Sequence, residues 1–272
     1  MEQRVADTIK TRGMIVPHDR VAVALSGGKD STALLLLLHH LLPLWEDVQL
    51  IAITIDEGIF GYREETIRSA EQLTSRLGIE HHGISFSSLF GNSLDTVLKG
   101  RETQACSICG IMRKKALVVG ALQVRATKIA TGHNLDDEAQ SVLMNVFRSD
   151  LLRLVRNSSR ESSGKFIPRI KPLSRISEKD IATYLMLKDA WRDLPECPYT
   201  RYAMRLEVRT MLSGLEYKHP GTMLHLLESK EKIERCCKGS VISEPLRSCR
   251  ECGDPCSGNL CQVCLLRQSL DR

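Results

Sequence analysis

The sequence contains no apolar run that approaches the ~18 residues of a membrane span. It also lacks the pattern of a secretion signal, since it begins Met-Glu-Gln-Arg-Val-Ala-Asp, and it has no internal repeat or low-complexity tract. We therefore expect a cytoplasmic protein with no membrane partner. Its 272 residues suffice for the core of one α/β domain and a smaller appended module.

A strong net charge is also missing, because the formal charge is +5 at pH 7. The basic residues are nevertheless concentrated between Arg148 and Arg175, where eight Lys or Arg side chains are accompanied only by Asp150 and Glu161. Such a segment suits an anionic polymer. A solvated basic face is the simpler alternative.

The Walker spacing Gly-x4-Gly-Lys-Ser/Thr is absent, but a different phosphate loop is indicated near the N-terminus. Residues 21–25 have the apolar, β-branched character of a buried parallel strand, and a Leu-rich helix pattern follows from Ala33. Between them lies Ser26-Gly-Gly-Lys-Asp-Ser31, whose glycines let a phosphate approach the backbone N–H groups at a helix N-terminus. The Lys29 ammonium adds positive charge there. An ordinary glycine turn is the alternative.

Strand and helix patterns alternate along the chain. Strands are predicted at 21–25, 48–55, 79–86 and 127–131, and helices at 2–12, 29–42, 63–77, 108–124, 135–147, 176–188, 201–213 and 222–237. Residues 89–103 are poorly patterned and 158–164 form a loop. This order predicts βαβ units in a doubly wound parallel sheet of the α/β class. The loop at 26–31 and the Gly132-His133 turn are then expected to face one pocket at the switch point.

Ten cysteines without a secretion signal favour metal or redox chemistry over disulfides. The pairs Cys249-x2-Cys252 and Cys261-x2-Cys264 predict zinc held by four thiolates in a small C-terminal zinc-ribbon module. Cys256 is a fifth cysteine in this module, so an exchange of ligands is an alternative. Cys236 and Cys237 are expected to be helix-end residues.

Seven motifs follow one another along nearly the whole chain. They are Ser26–Ser31, Cys106-x2-Cys109-Gly, Thr131-Gly-His-Asn-Leu-Asp-Asp-Glu-Ala, Leu143-Met-Asn-Val-Phe-Arg, Pro168-Arg-Ile-Lys-Pro-Leu, Glu196-Cys-Pro-Tyr and His219-Pro-Gly. Any one of them is weak, but the ordered set closely resembles the tRNA uridine 2-thiolation enzymes of the PP-loop ATP pyrophosphatase superfamily. That group includes TtuA, archaeal NcsA and the eukaryotic cytosolic thiouridylase. The resemblance implies the fold of the adenine nucleotide α-hydrolases.

The resemblance implies a tRNA sulfurtransferase that uses ATP to adenylate O2 of a uridine, after which sulfur displaces AMP. Mg²⁺ would neutralise the leaving pyrophosphate. Asp137 would be the catalytic carboxylate, and Lys29 would assist catalysis. The residues implied to bind ATP are Ala24, Ser26, Gly27, Gly28, Lys29, Asp30, Ser31, Ile55, Gly132, His133 and Asp137.

In such a family Cys106, Cys109 and Cys197 would hold a 4Fe-4S cluster. Three thiolates leave one iron with an open position for sulfide, whereas most clusters of this type take four. Cys106 and Cys197 are accordingly counted among the catalytic residues. A persulfide on one of these cysteines, or a structural zinc at Cys106 and Cys109, is the alternative.

The expected partners are tRNA, a sulfur donor and a second copy of the chain in a homodimer. The donor is either sulfide or a ubiquitin-like thiocarboxylate carrier. The residues implied to contact tRNA are Arg113, Lys114, Arg148, Arg153, Arg156, Arg169 and Lys171. We expect a PP-loop domain at 1–150, a helical and basic extension at 151–240, and the zinc module at 241–272.

Two departures from the family pattern bear on the substrate. The N-terminal zinc module that most relatives carry does not precede the first helix here. Arg113 stands where TtuA-type members tend to have Lys, which favours thiolation of the wobble uridine. The alternatives are thiolation of the T-loop uridine, a PP-loop enzyme acting on a small molecule, and a non-catalytic tRNA-binding scaffold.

Overall fold

The computed structural model describes residues 1–155, 167–200, 204–237 and 247–270. Five parallel strands form one sheet in the order β3-β2-β1-β4-β5. They are β1 Arg20–Ala24, β2 Gln49–Asp56, β3 Glu80–Ser85, β4 Lys128–Ala130 and β5 Arg169–Ile170. The chain moves from β1 to one edge of the sheet and then resumes at β4 on the other side of β1. The carboxyl ends of β1 and β4 therefore border the switch point, where open sheets bind ligands.

Helices cover both faces of this sheet. They are α1 Glu2–Thr11, α2 Lys29–Leu41, α3 Arg63–Leu77, α4 Phe86–Phe90, α5 Leu94–Val97, α6 Ala105–Gln123, α7 Leu135–Phe147, α8 Leu151–Val155, α9 Glu178–Leu187, α10 Met204–Lys218, α11 Thr222–Cys236 and α12 Gln262–Leu270. A small antiparallel pair, β6 Arg247–Ser248 and β7 Pro255–Cys256, precedes α12.

The two apolar layers of the core follow the alternation of side chains along β1. Val21 and Val23 lie in a cluster with residues of α1, α2, α3 and α9, whereas Ala22 lies in the cluster that contains α6. All three side chains are completely buried. A strand covered on both faces is apolar throughout, as expected of a parallel sheet. The predicted doubly wound α/β fold is confirmed.

Several elements differ from the sequence prediction. The poorly patterned residues 89–103 include the short helix α5, whose first turn is capped by Ser93. Helix α6 begins at Ala105 rather than near residue 108, so Cys106 and Cys109 lie on consecutive turns of one helix. Neither β5 nor α12 was predicted from the sequence. The predicted loop at 158–164 and the start of the helix at 201 lie outside the described residues.

The short strand β5 is defined by its partner rather than by its own sequence. The amide of Ile129 donates to the Pro168 carbonyl at 2.9 Å, and the amide of Thr131 donates to the Ile170 carbonyl at 3.0 Å. A two-residue strand between prolines has no periodicity of its own. The strand conformation of β5 is therefore determined by its pairing with β4.

No helix in the described ranges is long and apolar enough to cross a membrane. The domain boundaries after residues 150 and 240 stay predictions, and the second lies outside the described residues.

We predict that Gly27→Ala lowers the free energy of unfolding by at least about 2 kcal/mol, combining backbone strain with overpacking. Gly27 has φ +85°, and an added Cβ would lie 2.0 Å from the Thr66 carbonyl oxygen. Gly61→Ala is the matched control, because Gly61 also has positive φ, at +70°, but has no atom within 4 Å of the added Cβ. Its expected cost is about 1 kcal/mol. Equal losses for the two variants in urea unfolding would contradict the packing argument.

Candidate functional site

The loop between β1 and α2 is held by its own hydroxyl groups. Ser31 Oγ accepts from the Ser26 amide at 3.1 Å and donates to the Gly28 carbonyl at 2.9 Å. Gly28 precedes α2 and has no side chain with which to cap it. Since the N–H groups of a first helical turn have no intrahelical partner, this end of α2 suits an anion.

The turn after β4 packs directly against that loop. A Cβ added to Gly132 would lie 3.0 Å from the Asp30 carbonyl carbon and 3.0 Å from the Ser31 nitrogen. The amide group of Asn134 donates to Asp30 Oδ1 at 3.0 Å. The two turns expected at the switch point are therefore in contact.

Helix α7 begins with a reciprocal cap that fixes Asp137. Asn134 Oδ1 accepts from the Asp137 amide at 2.9 Å, and Asp137 Oδ2 accepts from the Asn134 amide at 3.4 Å. This is a capping box, so part of the acidity of this segment serves the helix. The other carboxylate oxygen of Asp137 faces Arg205, whose Nη1 donates to it at 3.0 Å.

An open cleft of about 240 Å³ lies between these turns and helices α9 and α10. Its lining residues are Lys29, Asp30, Asn134, Asp136, Asp137, Gln140, Glu178, Thr200, Arg205, Leu206 and Arg209. Three side chains that sequence reasoning missed, Glu178, Arg205 and Arg209, thus belong to this cleft. Arg205 and Arg209 are four residues apart on α10, which places both on one helix face, but no motif marks them.

Charges alternate in sign across the cleft. Lys29 Nζ lies 2.9 Å from Glu178 Oε1 and 3.3 Å from Asp30 Oδ2, and Arg209 donates to the same Glu178 oxygen at 2.7 Å. Burial lowers the pKa of the Lys29 ammonium, but Asp30 and Glu178 outweigh it and raise the pKa above its ordinary value. Lys29 therefore stays protonated at neutral pH.

The other side chains implied to bind ATP lie beside the cleft rather than in its lining. Ala24 ends β1, and Ile55 is buried near the end of β2. His133 Nδ1 is 2.9 Å from Thr131 Oγ1, which fixes the imidazole at the end of β4. These residues border the same sheet edge as the loop.

A second group of functional side chains lies at the start of α6. Cys106 is exposed, Cys109 is buried, and Cys197 is half-buried in the loop before α10. The Cys106 thiol points to the Tyr199 carbonyl, with a separation of 3.9 Å, and the Tyr199 hydroxyl donates to Asp95 at 2.8 Å. These contacts hold the loop that carries Cys197 against α6.

The three thiols share one electrostatic environment. Burial raises the pKa of the Cys109 thiol to about 11; Arg113 opposes this, while Glu57, Cys197 and Cys106 add to it. Burial also raises the pKa of Cys197. A bound metal is needed to keep such thiols deprotonated near neutral pH.

Arg113 lies one turn after Cys109 and connects it to a buried acid. Its Nη2 donates to Cys109 Sγ at 3.2 Å, and its Nε donates to Glu57 Oε1 at 2.6 Å. Glu57 follows β2, at the same sheet edge as the phosphate loop. Arg113, which the family resemblance implies in tRNA binding, therefore has two protein partners, and its contact with tRNA stays a prediction.

Several of the basic side chains implied to contact tRNA lie close to one another. Arg169 donates to the Lys114 carbonyl at 3.2 Å, and Lys171 lies 2.6 Å from Glu138 Oε1. Burial lowers the pKa of Lys114, and the charges of Arg169, Arg153 and Lys171 lower it further. Arg148 Nη2 lies 3.8 Å from Met204 Sδ. Arg156 lies outside the described residues.

Four C-terminal sulfurs converge on one point. Those of Cys249, Cys252, Cys261 and Cys264 all lie within 4.8 Å of one another. In a tetrahedral zinc site with Zn–S bonds of about 2.3 Å, two sulfur ligands lie about 3.8 Å apart. The sulfurs of Cys252 and Cys261 are 3.6 Å apart, close to this spacing. The amide of Cys261 donates to Cys249 Sγ at 3.3 Å. The thiol of Cys256 instead donates to the Gly258 carbonyl at 3.1 Å, outside this set.

Within the described ranges, no other His, Cys, Asp or Glu group of three or more converges so closely. The thiols of Cys106, Cys109 and Cys197 therefore do not all lie within 4.8 Å of one another. The irons of a cluster each take a separate thiolate, so three cysteines at wider spacing are compatible with a cluster.

The profile of the PP-loop domain family matches residues 1–212. The chain is 34% identical to the tRNA 2-thiolation protein NcsA of Haloferax volcanii, over 100% of this chain and 90% of that protein. It is 36% identical to the cytoplasmic tRNA 2-thiolation protein 1 of Caenorhabditis briggsae, over 99% of this chain and 73% of the relative. The chain belongs to the PP-loop tRNA 2-thiolation proteins.

A solved member of this PP-loop family has the same fold. The U34-tRNA thiolase NcsA from Methanococcus maripaludis, determined with its [4Fe-4S] cluster, superposes with a TM-score of 0.84 at 32% identity. The match covers 99% of this chain and 87% of that one. The resemblance inferred from the ordered motifs is thereby confirmed.

We predict that Cys261→Ser abolishes metal binding by the C-terminal module, whereas Cys256→Ser leaves its metal content unchanged. Cys261 is one of the four convergent thiols, but Cys256 is not. Metal per chain is measured by mass spectrometry after iron-free purification. Loss of metal from the Cys256 variant would show that the ligand set includes the fifth cysteine.

Proposed function

We propose that this protein 2-thiolates a uridine of tRNA in an ATP-dependent reaction. The contact between the phosphate loop and the Gly132 turn, with Lys29 and Asp137 lining the same cleft, carries this proposal. The family membership supports the same chemistry, since the relatives are named for tRNA 2-thiolation.

On the nucleotide side, the phosphate loop would bind the triphosphate with Gly27, Gly28 and Ser31, and Lys29 would neutralise it. Phosphate oxygens would then replace the carboxylates that now face Lys29, Arg205 and Arg209. This frees Asp30 and Asp137, whose oxygens suit Mg²⁺. Activation of O2 is required because a carbonyl oxygen leaves poorly until it is adenylated.

On the sulfur side, Cys106, Cys109 and Cys197 would hold a 4Fe-4S cluster. A cluster with three protein thiolates supplies an open iron position for sulfide. The exposed Cys106 lies at the solvent side and the buried Cys109 at the protein side. Arg113 donates to the buried sulfur and its charge favours the thiolate, while Glu57 binds the same guanidinium.

We assign tRNA binding to the basic cluster of Lys114, Arg153, Arg169 and Lys171, because their charges lie close enough together to lower the pKa of Lys114. The phosphates of the tRNA would contact these side chains, and Arg148 and Arg156 stay further candidates for phosphate contacts. We assign the wobble uridine as the target, because Arg113 fits the wobble-uridine group and the solved relative is named a U34-tRNA thiolase.

We further propose zinc for the four C-terminal thiols, a homodimer and a cytoplasmic location. The sulfur donor is proposed to be either sulfide or a ubiquitin-like thiocarboxylate carrier. Four thiolates within 4.8 Å suit tetrahedral zinc. The cytoplasmic location follows the naming of relatives such as the cytoplasmic tRNA 2-thiolation protein 1 of Bos taurus, which is 34% identical.

The deciding experiment is anaerobic incubation of the iron-reconstituted protein with Mg-ATP, sulfide and unmodified tRNA, followed by nucleoside mass spectrometry. We expect 2-thiouridine that requires both ATP and iron. Failure to form AMP or a thiolated base would overturn the proposal. A tRNA with cytidine at the wobble position is the control, and thiolation that persists on it would assign the reaction to another uridine.

We predict that Cys197→Ala abolishes thiolation, because the cluster loses one of three protein ligands, while ATP affinity changes less than about threefold. Cys197 lies outside the cleft lining. Iron content and isothermal titration with a non-hydrolysable ATP analogue measure the two effects. Thiolation at the wild-type rate would remove the cluster assignment.

We predict that Arg205→Ala and Arg209→Ala each raise the KM for ATP about tenfold, which corresponds to the loss of about 1.4 kcal/mol of binding. Each guanidinium now lies on a carboxylate of the cleft and is positioned to exchange it for phosphate. Arg235→Ala, in the last turn of α11, is the control. An unchanged KM in both cleft variants would exclude a phosphate contact.

A further inference from the structure

The acid after β2 is buried although it is charged. The side chain of Glu57 is only 4% exposed, and its backbone carbonyl accepts from the Leu94 amide at 2.7 Å. A carboxylate removed from water costs several kcal/mol unless cations and hydrogen bonds compensate. The structure supplies two arginines, one on either side.

The first arginine connects Glu57 to the phosphate loop. Arg63 is buried at the start of α3, and its Nε lies 2.7 Å from Glu57 Oε2. In the described part of the chain, neither Arg63 Nε nor Glu57 Oε2 has another hydrogen-bond partner. Arg63 Nη1 donates to the Ser26 carbonyl at 3.0 Å, and Nη2 donates to the Ile55 carbonyl. Glu57 is thus fixed relative to the loop at 26–31.

The second arginine connects Glu57 to the cysteines. Arg113 uses Nε for Glu57 Oε1 at 2.6 Å and Nη2 for Cys109 Sγ at 3.2 Å. Its side chain is half exposed, so without Glu57 it would be free to adopt other rotamers in water. The planar guanidinium presents both donors at once, which a lysine ammonium on a flexible stem does not.

We propose that Glu57 is a positioning residue that aims Arg113 at the Cys109 sulfur, with Arg63 holding Glu57 to the phosphate loop. The inference rests on the proposed function, because it takes Cys109 as a cluster ligand. Two arginines and one carboxylate leave one positive charge, which a Cys109 thiolate balances. Hydrogen bonds to ligand sulfurs and nearby charge set the properties of iron–sulfur clusters.

The test is a double-mutant cycle in the reconstituted full chain, with Glu57→Gln, Arg113→Gln and the double variant. If Glu57 acts through Arg113, each single variant lowers the thiolation kcat about tenfold or more and the double variant is no slower than either. The KM for ATP should change less than threefold. All three variants should show the same altered EPR signal of the reduced cluster. Glu65→Gln, an exposed acid on α3, is the control.

Additive losses in the cycle, or a wild-type kcat in Glu57→Gln, would overturn the inference. A raised KM for ATP with kcat unchanged would place Glu57 in nucleotide binding through Arg63. If Glu57→Gln does not fold, the Arg113→Lys variant is the deciding test. A single ammonium cannot contact both Glu57 and Cys109, so the kcat and EPR signal of Arg113→Lys should match those of Arg113→Gln. A wild-type EPR signal and kcat in Arg113→Lys would count against the proposal.

The EPR comparison separates this inference from the proposed function. If the wild-type protein thiolates no tRNA but the variants share one altered cluster signal, the function is wrong and the positioning role stands. If thiolation occurs and the variants have wild-type signals, only the positioning role is wrong.

Discussion

The fold depends on close backbone contact at the switch point of the sheet. The phosphate loop lies between α3 and the turn after β4, with Gly27 against Thr66 and Gly132 against Asp30 and Ser31. A side chain at either glycine would force these segments apart. Because β1 lies between β2 and β4, that single contact brings together groups from distant parts of the sequence. Lys29 and Asp137 line the same cleft as a result.

Electrostatics then divides this edge of the sheet into two parts. In the cleft, carboxylates of Asp137 and Glu178 face cations that suit phosphate. Near the cysteines, the buried Glu57 is shared by Arg63 and Arg113, so positive charge reaches the Cys109 sulfur. In each part the cationic side chains form ion pairs with carboxylates. Both are preorganised for negatively charged groups, one for a triphosphate and the other for sulfur.

The sequence predicted features whose cause is local. The β1 strand, the phosphate loop and the C-terminal cysteine pairs follow from an apolar run, adjacent glycines and regular spacing. Other features depend on tertiary contacts. Arg205 meets Asp137 from a helix 68 residues further along the chain, and nothing in its neighbourhood distinguishes it from a surface arginine. The same is true of β5, which pairs only because β4 lies beside it, and of Arg113, whose partner Glu57 lies 56 residues earlier.

The C-terminal module is attached to α6, the helix that carries Cys106 and Cys109. Lys115 on α6 pairs with Asp254, Arg101 donates to the Ser269 carbonyl at 3.2 Å, and Leu266 packs in the same apolar cluster as Cys109. The C-terminal thiols and the start of α6 therefore share one mechanical support. If the proposed cluster binds at Cys106 and Cys109, a chelator that strips the C-terminal thiols would loosen α6 as well, and loss of iron after such treatment would report on this support and not only on the affinity of the cluster ligands.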